Sequence, residues 1–185
     1  MDFFDLVAPI YDRIFHPALG ELCQQGGFAS EGVIVDLGGG TGRMAQALQS
    51  LQRNVIVADL SYHMLQQVCQ RERLLPIVAD GVMLPLTTHA LSGVLIADAF
   101  HHFQQREEVI REVSRVLKKG GILYIFEPNI KKWGVKIVAV MENILGMHSH
   151  FFHIPEIEKM VCGHGFRTIE TKEEEASIRL CFERI

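Results

Sequence analysis

The segment that most constrains the fold of this chain is a short apolar run that ends in a cluster of glycines. Val33–Val35 and Asp36 lead into three consecutive glycines, Gly38–Gly40. Residues 43–51 then have a helical period, with one apolar face formed by Met44, Ala47, Leu48 and Leu51. This order predicts a buried strand, a tight turn and a helix, an arrangement in which glycine lets a ligand approach unpaired backbone N–H groups. It is typical of a nucleotide-cofactor loop, but glycine spacing alone does not identify the cofactor.

Strands and helices alternate along the following hundred or so residues. The pattern predicts strands at 32–37, 54–58, 75–79, 93–97 and 122–126, with helices at 43–51, 64–71 and 107–117 between them. Such alternation predicts an α/β fold with a doubly wound, mostly parallel sheet covered by helices on both faces. Two further strands, 166–171 and 177–182, are joined by a link too short for a crossover helix. They predict an antiparallel C-terminal hairpin at the edge of a seven-stranded sheet.

The 185 residues have the size of a single domain. We expect residues 1–29 to form an N-terminal helical cover and 30–129 to form the cofactor-binding core. Residues 130–165 are then expected to supply a lid and substrate-side helices, and 166–185 the hairpin.

Charge and cysteine content exclude several classes of protein. The net charge is -4 and no long basic run is present, so nucleic acid is not an expected partner. The four cysteines are dispersed without a CxxC pair, which indicates neither a zinc site nor a disulfide framework and favours a reducing compartment. The N-terminus lacks the basic start of a secretion signal, and no uncharged apolar run reaches the ~20 residues of a membrane span. We therefore expect a cytoplasmic protein without stable membrane insertion.

Asp36 decides between two cofactors. Gly40, Gly42 and Ala45 match the dinucleotide pattern G-x-G-x-x-A. A carboxylate just before the glycines would, however, repel the pyrophosphate of NAD at close range. S-adenosylmethionine has no phosphate, and an acid attracts its sulfonium and ammonium groups, while its carboxylate suits a helix N-terminus. The structural alternative is that Asp36 caps or orients the turn itself.

Two more acids stand at predicted strand ends. Asp59 closes the second strand, where a carboxylate can accept both hydroxyl protons of a ribose; the alternative is helix N-capping, which Ser61 can equally provide. Asp80 closes the third strand and can accept from an adenine amino group between Leu60 and Val82; its alternative is ordinary turn chemistry. Ligands bind at the carboxyl ends of strands in such sheets, so acids at three successive strand ends favour a cofactor site.

These segments resemble, in order and spacing, the successive motifs of class I S-adenosylmethionine-dependent methyltransferases. The matching segments are DLGGGTG at 36–42, Asp59, DGVMLP at 80–85, ADAFHHF at 97–103 and LKKGG at 117–121. The resemblance implies a Rossmann-like methyltransferase fold. Within the family the chain looks most like small-molecule enzymes such as the quinone-biosynthesis C-methyltransferases.

The resemblance also implies how the cofactor is bound. Asp36 with the glycine turn would hold the methionine part, Asp59 the ribose, and Asp80 with Val82 the adenine. Tyr11 is similar to a tyrosine of the N-terminal helix that covers the cofactor. The full set of implied cofactor-binding residues is Tyr11, Asp36, Gly38, Gly39, Gly40, Asp59, Leu60, Met64, Asp80, Gly81, Val82 and Asp98. The segment after the fourth strand would border the transferred methyl group.

His101 and His102 are the candidate catalytic residues. Methyl transfer from a sulfonium is an in-line displacement, so alignment and exclusion of water supply much of the rate. An acceptor that loses a proton would benefit from a base, and imidazole titrates near neutral pH. The alternative, which the residues alone favour, is that one histidine packs against the sheet and the other hydrogen-bonds the loop.

Three further histidines, His148, His150 and His153, form the pattern H-x-H-x-x-H beside two phenylalanines. No acidic partner lies within that stretch and the reaction needs no Lewis acid, so we expect no metal. An aromatic wall for the acceptor is the preferred interpretation. The apolar stripe of the helix expected over 132–147 is interpreted as core or lid.

The sequence therefore predicts a methyltransferase that uses S-adenosylmethionine, releases S-adenosylhomocysteine and acts on a small-molecule acceptor. The Asn-Pro-Pro-Tyr and Asp-Pro-Pro-Tyr motifs of DNA amino methylation are absent after the fourth strand, as is the Pro-Cys of cytosine methylation. Two alternatives remain open at this point. One is a nicotinamide oxidoreductase, and the other is a subunit that binds S-adenosylmethionine without turnover.

Overall fold

The computed structural model describes residues 27–49, 53–69, 73–129, 153–175 and 177–185. Its strands are β1 (Gly32–Leu37), β2 (Arg53–Asp59), β3 (Leu74–Val78), β4 (Leu91–Ala97), β5 (Leu117–Pro128), β6 (Phe166–Glu173) and β7 (Ser177–Arg184). Its helices are α1 (Arg43–Leu48), α2 (Tyr62–Val68), α3 (Arg106–Val116) and α4 (Ile154–Cys162), with a single 3-10 turn at Phe100–His102. The predicted N-terminal cover with Tyr11, the helix expected over 132–147, His148 and His150 lie outside the described residues.

All seven strands form one sheet in the order β3-β2-β1-β4-β5-β7-β6. β1 pairs in parallel with both β2 and β4, while β7 pairs antiparallel with both β5 and β6. The predicted doubly wound sheet with an antiparallel C-terminal hairpin is thus confirmed. The strand order reverses beside β1, and in open α/β sheets this switch point opens a crevice at the carboxyl ends of the strands.

Helices cover both faces of the sheet because its central strands are apolar on both sides. Every residue of β4 is buried. On one face the sheet packs against α3 and α4, whose buried side chains include Val113 and Ile157. On the other face it packs against α1 and α2, through Leu48 and Leu65 among others. The resulting three layers leave the strand ends as the place where loops from several elements meet.

The helix after the glycine turn is shorter than predicted. α1 ends at Leu48, and Gln49 is already extended with ψ 142. Its buried face contains Ala45 in place of the predicted Ala47, which is exposed. The difference arises because a helix of so few residues presents only one turn to the sheet, and Ala45 is the alanine on the side that faces it.

The helix before the fifth strand ends within one residue of its predicted end, but the strand starts ahead of Lys118–Gly121 instead of after them. Leu117 is already extended, so β5 starts there and includes these four residues. The pairing with β4 shifts within this stretch, since Leu91 faces Leu117 whereas Gly93 faces Ile122. The β4–β5 register therefore accommodates the extra residues as an irregularity within the strand.

Candidate cofactor site

The glycine turn folds back over the end of β2. The backbone N–H groups of Gly38 and Gly39 both donate to the carbonyl oxygen of Ala58, at 2.8 and 3.3 Å. β1 and β2 are paired in register up to Leu37 and Ala58, so both strands end at the same level. The turn consequently lies beside the carboxyl ends of the first two strands, where the predicted acids stand.

Asp36 lies beneath this turn. Asp36 is only 1% exposed. A Cβ atom on Gly39 would lie 2.8 Å from Oδ2 of Asp36 and 2.8 Å from Cγ1 of Val57, so only glycine lets the turn pack this closely. Neither carboxylate oxygen of Asp36 has a hydrogen-bond partner among the described residues. A buried carboxylate without such a partner is costly, and this cost calls for a nearby positive charge.

The electrostatic surroundings of Asp36 reflect that cost. Burial raises the pKa of this carboxyl to about 7; the neighbouring Asp59 adds to the rise, while the backbone N–H of Ala45 and the guanidinium of Arg43 oppose it. The Ala45 N–H thus lies near enough to act on the carboxylate, although outside hydrogen-bonding geometry. Perturbed carboxyls of this kind cluster at functional sites.

Asp59 ties the glycine turn to the turn that follows β2. Its Oδ2 accepts from the backbone N–H of Gly40 at 2.8 Å, and its Oδ1 accepts from the N–H of Ser61 at 2.8 Å. Ser61 is the N-cap of α2, and its hydroxyl accepts from the N–H of Met64. Asp59 is therefore not the helix cap. Each carboxylate oxygen has more than one lone-pair direction, so the same group can also accept from a ligand hydroxyl.

Asp80 closes a turn of its own. Its Oδ1 accepts from the N–H of Val82 at 3.1 Å, and its carbonyl accepts from the N–H of Met83 at 3.0 Å. Asp80 is exposed, and so are Leu60 and Met83, whose residues are 70% and 76% exposed. Asp80 thus makes the turn hydrogen bonds that were named as the alternative to its role in the site. The large apolar side chains of Leu60 and Met83 are exposed near the ends of β2 and β3.

Backbone geometry and core packing determine the positions of three other predicted site residues, namely Met64, Gly81 and Asp98. Met64 is buried, and its Cε would lie 3.1 Å from a Cβ on Gly40, so it packs under the turn. Gly81 is buried against Val109. Asp98 follows β4 in the left-handed region with φ 54, and its N–H donates to the neighbouring strand β5. Of these three, Met64 supports the turn from below.

The segment after β4 is in direct contact with the glycine turn. Gly38 has φ 74, and a Cβ there would lie 2.6 Å from Cβ of Ala99 and 3.6 Å from the ring of Phe103. No side chain fits between them. The segment that carries the two candidate histidines is therefore fixed against the cofactor loop.

Replacing Gly38 by alanine is expected to destabilise the protein by ~2–4 kcal/mol, because it combines left-handed strain with a steric clash. Gly120 is a matched control, since its φ is 75 and the nearest atom to a Cβ there is 3.8 Å away. Gly120→Ala should lose only the strain, ~1–2 kcal/mol. Urea unfolding of both variants measures the difference, and equal losses would show that the contact with Ala99 is unimportant.

His101 is held by a residue that the sequence analysis missed. Its Nδ1 lies 2.5 Å from Oε2 of Glu127, which stands near the end of β5, and both side chains are buried. The other oxygen of Glu127 accepts from the backbone N–H groups of Ala99 and Phe100, at 3.1 and 2.9 Å. A signal was present in the sequence, because Glu127 is one more acid at a strand end of the same edge.

The two candidate histidines differ in their surroundings. The His102 ring lies 3.9 Å from the His101 ring, centroid to centroid. Burial lowers the pKa of His102 to about 3, and His101 and Arg106 add to the decrease. Its imidazole is therefore neutral at any physiological pH and is a weak proton acceptor. The His101 ring, in contrast, lies against the carboxylate of Glu127.

The third histidine of the H-x-H-x-x-H pattern that the structure describes is His153. It precedes α4, and its backbone N–H donates to the carboxylate of Glu156. Within the described ranges, no three His, Cys, Asp or Glu side chains are grouped so as to hold a metal ion. Nor is any helix in that part of the chain long and apolar enough to cross a membrane.

Comparison with known proteins agrees with this geometry. Residues 35–125 match the family model described as a methyltransferase domain. A demethylmenaquinone methyltransferase of Thermotoga maritima is 32% identical over 112 residues, 57% of this chain and 49% of that protein. A ubiquinone/menaquinone biosynthesis C-methyltransferase of Blochmanniella pennsylvanica is 29% identical over 140 residues, 70% of this chain and 52% of that protein. The chain thus spans about half the length of these curated relatives.

The fold has close counterparts among solved structures. One is the structure described as a complex between the Haloferax volcanii Trm112 methyltransferase activator and a methyltransferase. It superimposes with a TM-score of 0.83 at 17% identity, over 100% of this chain and 98% of that one. At that identity the likeness concerns the fold alone.

The sheet order, the acids at the strand ends and the matched domain agree on one class: residues 35–125 match a methyltransferase domain, and the chain resembles the class I S-adenosylmethionine-dependent methyltransferases. Within that class it resembles the quinone-biosynthesis C-methyltransferases. The alternative of a nicotinamide oxidoreductase is not favoured.

Proposed function

We propose that this protein binds S-adenosylmethionine at the carboxyl ends of β1–β4 and transfers its methyl group to a small-molecule acceptor. The observation that carries the proposal is the buried carboxylate of Asp36 under the glycine turn, whose oxygens have no hydrogen-bond partner among the described residues. Asp59 lies close enough to reinforce its negative potential. A cationic, phosphate-free cofactor fits this pair of acids, whereas a pyrophosphate would be repelled.

The other predicted residues are assigned by position in the same proposal. Asp59 accepts from the ribose hydroxyls while it holds the N–H of Gly40. Leu60 and Val82 contact the adenine, and the Asp80 turn borders it. The roles expected for Tyr11 as part of a cofactor cover and for residues 130–165 as a lid rest on the sequence resemblance alone, because Tyr11 and residues 130–152 lie outside the described residues.

When bound, S-adenosylmethionine supplies an electrophilic methyl group on a sulfonium, which is a good leaving group. The residues of this chain then have three tasks, namely to bind, to align and to exclude water. Asp36 attracts the cationic end. The Gly38–Ala99 contact fixes the segment after β4 against the cofactor loop, so the acceptor meets the methyl group at a defined wall.

The acceptor we propose is a small aromatic molecule of the quinol type, methylated on carbon. The support is the printed function of the relatives, a demethylmenaquinone methyltransferase and a ubiquinone/menaquinone C-methyltransferase. A cytoplasmic location, expected from the dispersed cysteines, belongs to the same proposal.

Calorimetry tests the cofactor. We expect S-adenosylmethionine and S-adenosylhomocysteine to bind with micromolar affinity or better and NADH to give no heat of binding. Binding of NADH without binding of either sulfur compound would overturn the proposal.

Turnover separates an enzyme from a subunit that only binds the cofactor. The purified protein is incubated with S-adenosylmethionine and a short-chain naphthoquinol, and the products are examined by mass spectrometry. We expect a product heavier by one methylene unit that forms only with both protein and cofactor. If this quinol and a panel of cell-extract acceptors yield none while the cofactor binds, the protein is a non-catalytic binding subunit.

Asp59→Ala is expected to weaken S-adenosylhomocysteine binding by roughly 1–3 kcal/mol, the loss of a charge-assisted hydrogen bond. Ser61→Ala is the control, because it removes the α2 cap and costs ~1 kcal/mol of stability without removing a ligand-facing carboxylate. Titration calorimetry on both folded variants gives the comparison. An unchanged affinity for Asp59→Ala would remove Asp59 from the site.

A further inference from the structure

We propose that Glu127 is a positioning residue that holds His101 in its Nδ1-protonated form, so that Nε2 is the nitrogen that accepts a proton from the methyl acceptor. The catalytic use of His101 rests on the proposed function, whereas the protonation pattern of the ring does not.

Three donors converge on the Glu127 carboxylate. One oxygen accepts the two backbone N–H groups of Ala99 and Phe100, and the other lies 2.5 Å from Nδ1 of His101. The residue is 4% exposed, so these contacts are made away from water. A carboxylate satisfied by several donors in a buried site forms strong, charge-assisted hydrogen bonds.

The segment after β4 is also held from its carbonyl side. Nε of Arg106, in the first turn of α3, donates to the carbonyl oxygen of Phe100 at 3.2 Å. Its NH2 group donates to the carbonyl oxygen of His101 at 2.9 Å. The acid therefore fixes the N–H groups of the segment and the guanidinium fixes its carbonyls, which leaves the His101 backbone little freedom.

This geometry determines the tautomer of His101. An ionised carboxylate can only accept, so the hydrogen bond to Oε2 requires the proton on Nδ1. A neutral imidazole has one N–H, and Nε2 is then the acceptor nitrogen. In this arrangement a carboxylate orients a histidine and stabilises the imidazolium that forms when the ring takes a second proton.

The position of the pair links it to methyl transfer. Ala99, two residues before His101, lies against Gly38 of the cofactor loop. In the step we propose, a bond forms between the methyl carbon and the nucleophilic atom of the acceptor as the carbon–sulfur bond breaks, and its electron pair stays on sulfur. The proton lost by the acceptor moves to Nε2 of His101. The positive charge on the ring is then balanced by Glu127.

The test reads the protons of the ring directly, by NMR correlation of nitrogen-15-labelled histidine in the ligand-free protein. The His101 signal is assigned by its loss in His101→Gln. We expect the wild-type ring to carry its proton on Nδ1 and to leave Nε2 unprotonated. In Glu127→Gln the amide oxygen still accepts from Ala99 and Phe100, while its NH2 group donates to the ring, so the proton should move to Nε2.

Glu112→Gln is the matched control. Glu112 also accepts a backbone N–H, that of Leu84, and pairs with Arg115. Its substitution should leave the His101 signal unchanged. A wild-type ring protonated on Nε2, with or without a proton on Nδ1, would overturn the proposal without any reference to activity, and so would a ring that responds equally to both substitutions.

Kinetics completes the test. For Glu127→Gln we expect an unchanged affinity for S-adenosylhomocysteine and a kcat lower by ~10²-fold, the usual contribution of a general base. An unaltered kcat despite the shifted proton would show that His101 does not act as the base. Failure of the wild type to bind S-adenosylmethionine would instead refute the proposed function and leave the NMR result standing.

Discussion

Asp36→Asn is expected to stabilise the ligand-free protein at neutral and alkaline pH while it abolishes tight cofactor binding. Asp36 is buried, and its pKa is about 7 in the folded protein compared with the ordinary 3.8. The folded state therefore prefers the protonated carboxyl. A pKa difference of this size corresponds to ~4 kcal/mol of stability, and asparagine avoids the loss because it has no charge to bury.

The sign of the pH dependence follows from the raised pKa. Below the ordinary value of 3.8 the carboxyl is protonated in both states, and its contribution to stability is fully present. As pH rises towards 7 that contribution is lost, because the unfolded chain ionises more readily than the folded one. The advantage of Asp36→Asn should therefore grow by ~2–3 kcal/mol between pH 5 and pH 8 and level off above that.

Urea unfolding of wild type and variant over this pH range measures the effect. Asp80→Asn is the control, since Asp80 is exposed and asparagine can still accept the Val82 N–H. It should show no comparable pH-dependent gain. In parallel, S-adenosylmethionine should bind Asp36→Asn ~10- to 100-fold more weakly, the loss of one charge-assisted interaction. If the advantage is the same at both pH values, Asp36 is not the buried acid described above.

The second large effect concerns folding stability at Glu127. Glu127→Ala should destabilise the protein by ~3–5 kcal/mol, because it leaves two buried N–H groups and the His101 ring without their acceptor. Glu127→Gln should lose much less, since its amide oxygen and NH2 group can satisfy the same partners. The comparison separates the lost hydrogen bonds from the lost charge.

Thermal and urea unfolding of the two Glu127 variants provides the measurement. We expect Glu127→Ala to lower both midpoints strongly and to free the segment after β4, with faster amide exchange at Ala99 and Phe100. Equal destabilisation by alanine and glutamine would contradict this explanation, because it would assign the effect to charge alone.

Much of the architecture follows from local patterns. Apolar runs of strand length alternate with helical periods, and the doubly wound sheet with its C-terminal hairpin was predicted from them. The acids Asp36, Asp59 and Asp80 were located at strand ends for the same reason, because a change from apolar to polar residues marks where a buried strand reaches the surface. The strand bounds in the structure differ from the predicted ones by a few residues, most clearly at Lys118–Gly121. There the chain belongs to the strand that pairs with β4, although two consecutive glycines locally favour a turn.

The details of the site depend on residues far apart in the chain. Asp59 meets Gly40 across 19 positions, and Glu127 meets Ala99 across 28. These contacts are possible because β1 pairs with β2 and β4 pairs with β5 in particular registers, which no local pattern specifies.

The sequence by itself determined the class of fold, the edge of the sheet where a ligand binds and the acidic character of that edge. Only the tertiary structure decided that Asp36 is buried under Gly39 and that His101 pairs with Glu127. The physical reason is that desolvation and hydrogen bonding act through distances of a few ångströms in space. Chain packing sets those distances, and sequence neighbours do not.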